Sequence, residues 1–242
     1  MMKVIYEPSG QAREYAELAC NLFVTCPAMC EYCWAPLVLR KDRKEYYGKA
    51  RARKDIFPKL LSDLHEMRDC GDRREVLFSF VGDPYGDPYG TLISAVLGEV
   101  ERCRINATVL TKFGFRARYD FGLMDRSGIR FGQTICMMNE MVRTWWEPFA
   151  SPIVERVQAL KLAKEAGVRT WVSLEPVVHP EEAIQVVKEL HEWVDEWRVG
   201  KLNYQESRIN WVEFAWEMKE TLDGLGAKYR FKEDLEKYLK GD

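Results

Sequence analysis

Cys26-Pro-Ala-Met-Cys30-Glu-Tyr-Cys33 sets three cysteines at Cys-x3-Cys-x2-Cys spacing, directly after the apolar run Leu22-Phe-Val24. The next cysteine in the chain is Cys70, too far along to complete a four-ligand loop. Thiolate is the usual ligand of iron–sulfur clusters, and three thiolates on one short loop each bind one iron of a 4Fe–4S cube. The fourth iron then has no protein ligand and is open to another molecule. Two other readings are weighed against this one. Structural zinc asks for four protein ligands in paired Cys or Cys/His sets, and there is no second Cys-x2-Cys here, while His65, His179 and His191 stand in no zinc spacing. A disulfide scaffold belongs to short secreted chains, not to one this long without a signal peptide, and Cys20, Cys70 and Cys103 have no paired spacing for a second cluster.

The composition fits a single globular domain with ample core: 242 residues, 47% hydrophobic and 31% charged. That length is near the size of a (β/α) barrel. A net charge of −2 provides no global field for a polyanion. No run of 18 apolar residues is present to span a membrane. The start, Met-Met-Lys-Val-Ile-Tyr-Glu, has no apolar core of a secretory signal. Seven cysteines then point to a reducing, cytoplasmic setting.

Residues 1–16 read as an irregular lead-in. Ala16 to Val24 reads as a buried first strand with the cysteine loop at its C-terminal end, where (β/α) barrels keep their chemistry. Arg40 to Lys54 is basic and contains Tyr46-Tyr47. It is either a phosphate-contacting patch with stacking aromatics or a solvated, partly helical linker. Pro58 to Met67 reads as a helix. Strands are expected over Val76–Val81, Ala107–Thr111, Gly128–Ile135, Arg169–Leu174 and Val194–Val199. Helices are expected over Thr91–Arg102, Ser151–Ala166, Pro180–Glu192, Ile209–Leu222 and Phe231–Leu239. Repeated strand–helix alternation implies a parallel sheet with right-handed crossovers. Periodicity alone does not separate an open doubly wound sheet from a barrel, but no Gly-x-Gly-x-x-Gly follows the first strand.

With an aromatic, Tyr32, before its last cysteine, the loop resembles the signature of radical S-adenosylmethionine (SAM) enzymes. Further stretches resemble their spore photoproduct lyase-like (SPL, DNA repair photolyase) branch. These are Asn21-Leu-Phe, Tyr32-Cys33-Trp34-Ala35, Gly82-Asp83-Pro84-Tyr85, Leu110-Thr111-Lys112, Glu147-Pro148, Ala150-Ser151-Pro152, Arg156, Gly167 and Pro176. The resemblance covers about residues 16–205. It implies a partial, TIM-like (β/α)6 barrel within a single domain over 1–242, with C-terminal helices over 206–242. It implies that Cys26, Cys30 and Cys33 bind the cluster and that backbone groups of Tyr32 abut adenine. It places Lys112 on the methionyl carboxylate, Thr134 on the ribose, and the Gly82-Asp83 turn beside the methionyl amine. Glu175, also at an expected strand end, has the right chemistry for the amine or ribose.

The activity implied is reductive cleavage of SAM at a 4Fe–4S cluster to a 5′-deoxyadenosyl radical that acts on a substrate, with electrons from a flavodoxin or ferredoxin. The basic stretch and Trp145-Trp146 lean toward a nucleotide or nucleic-acid substrate, although the tryptophans also suit a cover over the mouth or simple packing. One departure bears on the reaction. The lyase carries a hydrogen-donor cysteine where this chain has Val81. Cys136 is the substitute candidate donor, against the alternative of a small buried hydrophobe. A different class of function is a non-catalytic iron–sulfur or zinc protein that binds nucleic acid through residues 40–54.

Overall fold

The computed structural model describes residues 3–240. Seven strands form one parallel sheet in sequential order: β1 (Leu18–Ala19), β2 (Val76–Phe78), β3 (Ala107–Thr111), β4 (Arg130–Thr134), β5 (Thr170–Val177), β6 (Glu196–Lys201) and β7 (Tyr229–Phe231). The helices are α1 (Ala35–Val38), α2 (Arg43–Tyr46), α3 (Ile56–Cys70), α4 (Thr91–Cys103), α5 (Phe121–Ser127), α6 (Glu140–Trp146), α7 (Ile153–Glu165), α8 (Pro180–Leu190), α9 (Trp211–Gly224) and α10 (Glu233–Glu236). A doubly wound sheet reverses its strand order at a switch point, and this one does not. Right-handed crossovers in sequential order all fall on one face, so the sheet curls around the other. The result is a half-barrel, as expected, with one strand more than the six anticipated.

Strand alternation decides what each face holds. A Cβ on Gly132 would lie 2.2 Å from the Trp171 indole, so glycine leaves room for that ring on the concave side. Trp171 packs there with Tyr15 and Leu77 and donates its indole N–H to Thr108 at 2.8 Å. In register with these residues, Lys112, Thr134, Ser173, Glu175 and Arg198 share the concave face. The convex face is apolar: Phe131 meets Phe121 of α5 edge-on at 4.9 Å, and Val172 and Leu174 pack with Ile184 and Val187 of α8.

Several expected elements shift. The first strand is not Ala16–Val24 but Leu18–Ala19 alone, because Asn21 turns the chain away to bind the loop after β2. The second strand stops at Phe78 for the same reason. Glu175 lies inside β5 and not past its end. Phe231–Leu239 is not one helix: β7 ends at Phe231, and a short helix follows Lys232. The tail after residue 205 is therefore not all helical and adds a strand to the sheet. Trp145 and Trp146 end the helix α6. Nor is the lead-in structureless. Gly10–Glu14 forms a 3-10 turn, and Val4 and Ile5 are buried, their N–H groups donating to Asp63. Met1 and Met2 lie outside the described residues. The Glu14 carboxylate accepts the Glu233 N–H beyond β7, while β1 pairs with β2, so the lead-in spans the open side of the half-barrel.

Candidate functional site

The cysteine loop lies over the C-terminal edge of the sheet, held by clamps from three directions. From below, both oxygens of Asp83 are engaged. One accepts from the Thr111 hydroxyl and the Tyr85 N–H, and the other from the Lys112 N–H at 2.7 Å. This ties the β2 loop to the end of β3. Asn21 adds a second tie, accepting from the Phe80 and Val81 N–H groups at 2.9 and 2.8 Å. Gly82 sits at φ 71°, where a Cβ would meet Phe23 at 2.8 Å and the Thr25 carbonyl at 3.0 Å. Only glycine allows the β2 loop to approach the segment leading into the cysteines so closely.

The second clamp comes from α2. The Tyr47 hydroxyl donates to the Cys30 carbonyl at 2.6 Å, and Arg43 donates to the carbonyls of Cys30 and Glu31 at 3.1 Å. Tyr46 is fully buried and accepts the Gly82 N–H.

The third clamp is a buried charge network after β4. Glu147 and Arg156 are both fully buried and form an ion pair at 2.5 Å. The Tyr32 hydroxyl donates to Glu147. Arg156 also donates to the Thr134 carbonyl at 3.1 Å, fixing the end of β4. Burial alone would raise the Glu147 carboxyl, but Arg156, Lys112 and the Tyr32 hydroxyl hold it below its ordinary range. The Trp146 carbonyl accepts the Glu31 N–H at 2.8 Å, and the Trp146 ring leans on Tyr32.

Inside these clamps the three cysteines are free thiols, Cys30 buried and Cys26 and Cys33 partly so. Burial pushes Cys26 up to about 12, and Cys30 and Cys33 upward as well. Cys26 is raised further by Asp83 and Cys33, and Cys30 by Glu147, Cys26 and Cys33, while Lys112 opposes the rise at all three. Thiols raised in this way are protonated without a metal and release their protons when a metal takes them. Among the described residues, no three His, Cys, Asp or Glu side chains gather closely enough to share a single metal ion. A cluster needs a different arrangement, one thiolate for each iron, and three free thiols on one short loop fit it.

Lys112 stands out among the concave-face residues. Its ammonium lies 5.5 Å from the centre of the Tyr32 ring and makes no salt bridge with any described residue. Burial would lower its pKa, but Cys30 and Glu147 hold it above the ordinary lysine range, so it stays charged. Thr134 is buried on the same face. Glu175 is further engaged: it pairs with Lys232 at 2.9 Å and accepts from the Tyr15 hydroxyl. Cys136 is fully buried beneath the network, its thiol pushed up by burial. Gln133 points the other way, against Gly114. Sequence reading named Tyr32, Glu147, Arg156, Tyr47 and the stretch holding Arg43 but missed what they bind: the Tyr32–Glu147–Arg156 network and the grip of Tyr47 and Arg43 on the Cys30 carbonyl join residues too far apart in the chain for local spacing to signal them. Trp145 is 73% exposed and Phe149 61% exposed, and the Phe149 N–H donates to the Ala28 carbonyl of the cysteine loop. A groove of about 500 Å³ lies between the starts of α8 and α9, with Trp146 in its wall and Val178, Leu202 and Phe214 buried along it.

Spore photoproduct lyase, in a variant solved with dinucleoside spore photoproduct, superposes with a TM-score of 0.69 at 16% identity, covering 93% of this chain and 79% of that one. SuiB from Streptococcus suis, bound to S-adenosylmethionine, superposes with a TM-score of 0.66 at 13% identity, covering 88% of this chain and 49% of its own. Both are radical SAM enzymes. The fold is the radical SAM half-barrel. At these identities the likeness is one of fold. No family model matches the chain. The uncharacterized protein MJ0683 of Methanocaldococcus jannaschii is 24% identical over 166 residues, 67% of this chain. The match spans 61% of that relative, less than two thirds of its length. No helix among the described residues is long and apolar enough to cross a membrane.

Proposed function

We propose that this chain is a radical SAM enzyme. The observation that carries the reading is the pairing of three free thiols on one clamped loop, one buried and two partly buried, with a lysine in no salt bridge on the concave face of a radical SAM half-barrel. Cys26, Cys30 and Cys33 would hold a 4Fe–4S cluster through three of its irons. When bound and reduced by a flavodoxin or ferredoxin, that cluster supplies one electron for cleavage of SAM to methionine and a 5′-deoxyadenosyl radical. The chain's own residues do the rest. Lys112 offers a point charge to the methionyl carboxylate. Thr134 offers a hydroxyl to the ribose diol, and the Tyr32 backbone flanks the adenine. Gly82 keeps the turn near the methionyl amine thin enough for backbone contact, because the Asp83 carboxylate is occupied in holding that turn. The Glu147–Arg156 pair fixes Tyr32 and the β4 end in one arrangement, and Glu175, paired with Lys232, stiffens the far wall.

For the substrate, exposed Trp145 and Phe149 beside the cysteine loop favour a planar ring that stacks, hence the nucleotide class. One fold neighbour was solved with a dinucleoside photoproduct and another with the precursor peptide SuiA. Cys136, buried under the site, is the candidate hydrogen donor of this chain. The test is anaerobic reconstitution with iron and sulfide, then SAM and dithionite, with 5′-deoxyadenosine measured by chromatography. One equivalent or more per chain is expected. None, with the cluster intact, contradicts the proposal.

A further inference from the structure

Tyr46 and Tyr47 do not serve as stacking rings on the surface. Tyr46 is buried, and Tyr47 is half-buried with its hydroxyl donating to the Cys30 carbonyl at 2.6 Å. The same carbonyl accepts from Arg43 at 3.1 Å, which engages both its lone pairs. The Glu31 carbonyl beside it accepts from Arg43 at 3.1 Å and from Gln205 at 3.0 Å. The Arg43 guanidinium lies 5.1 Å from the centre of the Tyr47 ring, within cation–π range, so the two side chains hold each other in place. Arg43 also meets the Glu31 carboxylate at 3.4 Å, with the two side chains 44% and 55% exposed, and a surface pair of that kind is weak. It leaves most of the guanidinium charge uncompensated beside the loop.

The pair acts on sulfur as well as on backbone. Burial raises the Cys33 thiol, and the Ala35 N–H, Lys112, Arg43 and the Tyr47 hydroxyl all draw it back down. Arg43 on α2 and Lys112 past β3 thus bring positive charge to one thiol from two different elements. A reduced iron–sulfur centre carries one negative charge more than the oxidised one. Hydrogen bonds and positive charge around its ligands stabilise that extra charge and raise the potential. We infer that Arg43 and Tyr47 are positioning residues that hold up the reduction potential of the centre bound by Cys26, Cys30 and Cys33. This rests on the cluster reading above. In the step concerned, one electron leaves a one-electron reductant, which is oxidised by one, and enters the centre, which is reduced by one. No bond is made or broken, and no group on this chain gains or loses a proton.

The test is a redox titration of the reconstituted protein without SAM, followed by the paramagnetic spectrum of the reduced centre. Iron and acid-labile sulfide are assayed on the same samples. Tyr47→Phe keeps the ring under Arg43 and removes only the hydroxyl. It is expected to shift the midpoint potential downward, equally at low and high salt. Arg43→Gln is expected to shift it downward as well, and by less as salt rises, because a part-exposed charge is screened. Arg43→Lys keeps the charge without the fork and is expected to fall between Arg43→Gln and the unaltered chain. Lys44→Gln, on the same helix and exposed, is the control expected to leave the potential where it was. An unshifted potential in both Tyr47→Phe and Arg43→Gln, with the iron content unaltered, overturns the inference. So does loss of iron and sulfide while the remaining centre keeps its midpoint, since the pair then only holds the loop. A shift in Lys44→Gln equal to that in Arg43→Gln overturns it too, because diffuse surface charge is then the cause. An unaltered chain that takes up no cluster, or holds one and cleaves no SAM with dithionite, overturns the proposed function instead. That failure is read on the unaltered chain alone, so it is distinct from a missing shift in the variants.

Discussion

Two lysines share the concave face of this half-barrel and live under opposite rules. Lys232, just past β7, has both oxygens of Glu175 within 3.0 Å, lies over the Tyr15 ring, and owes its space to Gly200. Lys112, just past β3, lies over Tyr32, makes no salt bridge with a described residue, and is held charged at longer range by Cys30 and Glu147. A sequestered charge without a partner is costly. Lys112 is only part-buried, and in the proposed reading the methionyl carboxylate of SAM would be its partner. In the proposed reading, the contrast separates the structural half of the interior from the half that binds SAM.

The largest way to break the contrast is to remove one of the groups that hold Lys112 charged. Cys30→Ala is expected to abolish cluster retention and SAM cleavage outright, measured by iron content and 5′-deoxyadenosine, while the far wall with Lys232 stays folded. The sharper experiment exchanges each lysine for methionine. Lys232→Met leaves the Glu175 carboxylate uncompensated and is expected to cost about 3 kcal/mol or more of stability, read by denaturant unfolding. Lys112→Met is expected to leave stability unchanged or slightly higher and to weaken SAM binding by about 2 kcal/mol, the worth of a hydrogen bond to a charged group, read by calorimetry. If the two effects are reversed, the division of the interior is wrong.

Glu147 gives a pH test of the ligand half. Its folded pKa is depressed, so its contribution is complete above the unfolded value of about 4.3 and is lost as pH falls through the lower folded value. The thermal midpoint is expected to drop steeply below about pH 4, and Glu147→Gln, less stable at pH 7, is expected to flatten that slope. The smallest effect concerns the structural half. A Cβ at Gly200 would lie 2.8 Å from Glu175 and 2.9 Å from Lys232. Gly200→Ala is expected to cost about 1–2 kcal/mol by overpacking, with SAM affinity unchanged.

Much of this was legible in the sequence, and the reason is local spacing. Cys26, Cys30 and Cys33 stand close enough in the chain for their geometry to be read from it, and β3 and α4 are continuous patterns bounded by turn residues. Lys112 and Thr134 could be placed on one rim because strand ends follow from those patterns. What stayed hidden depends on contacts between distant residues. The first strand is two residues long because Asn21 bonds the loop sixty residues away. The seventh strand is too short, at Tyr229–Phe231, to show alternation before a helix begins. The role of Asp83 also changed. Its position in the turn was visible, but the occupation of both its oxygens by Tyr85, Thr111 and Lys112 was not. Tyr46 lies among lysines and arginines and so could be read as a stacking ring or as part of a solvated linker, yet its hydroxyl is the acceptor for Gly82 inside the fold.

The most direct test of the central claim is an anaerobic preparation assayed for iron and acid-labile sulfide, with its reduced paramagnetic spectrum recorded before and after SAM is added. The account predicts about four irons and four sulfides per chain, and a spectrum that changes with SAM in the unaltered protein but not in Lys112→Met. A colourless chain with one tetrahedral zinc on Cys26, Cys30 and Cys33, or a cluster spectrum indifferent to SAM, would contradict it.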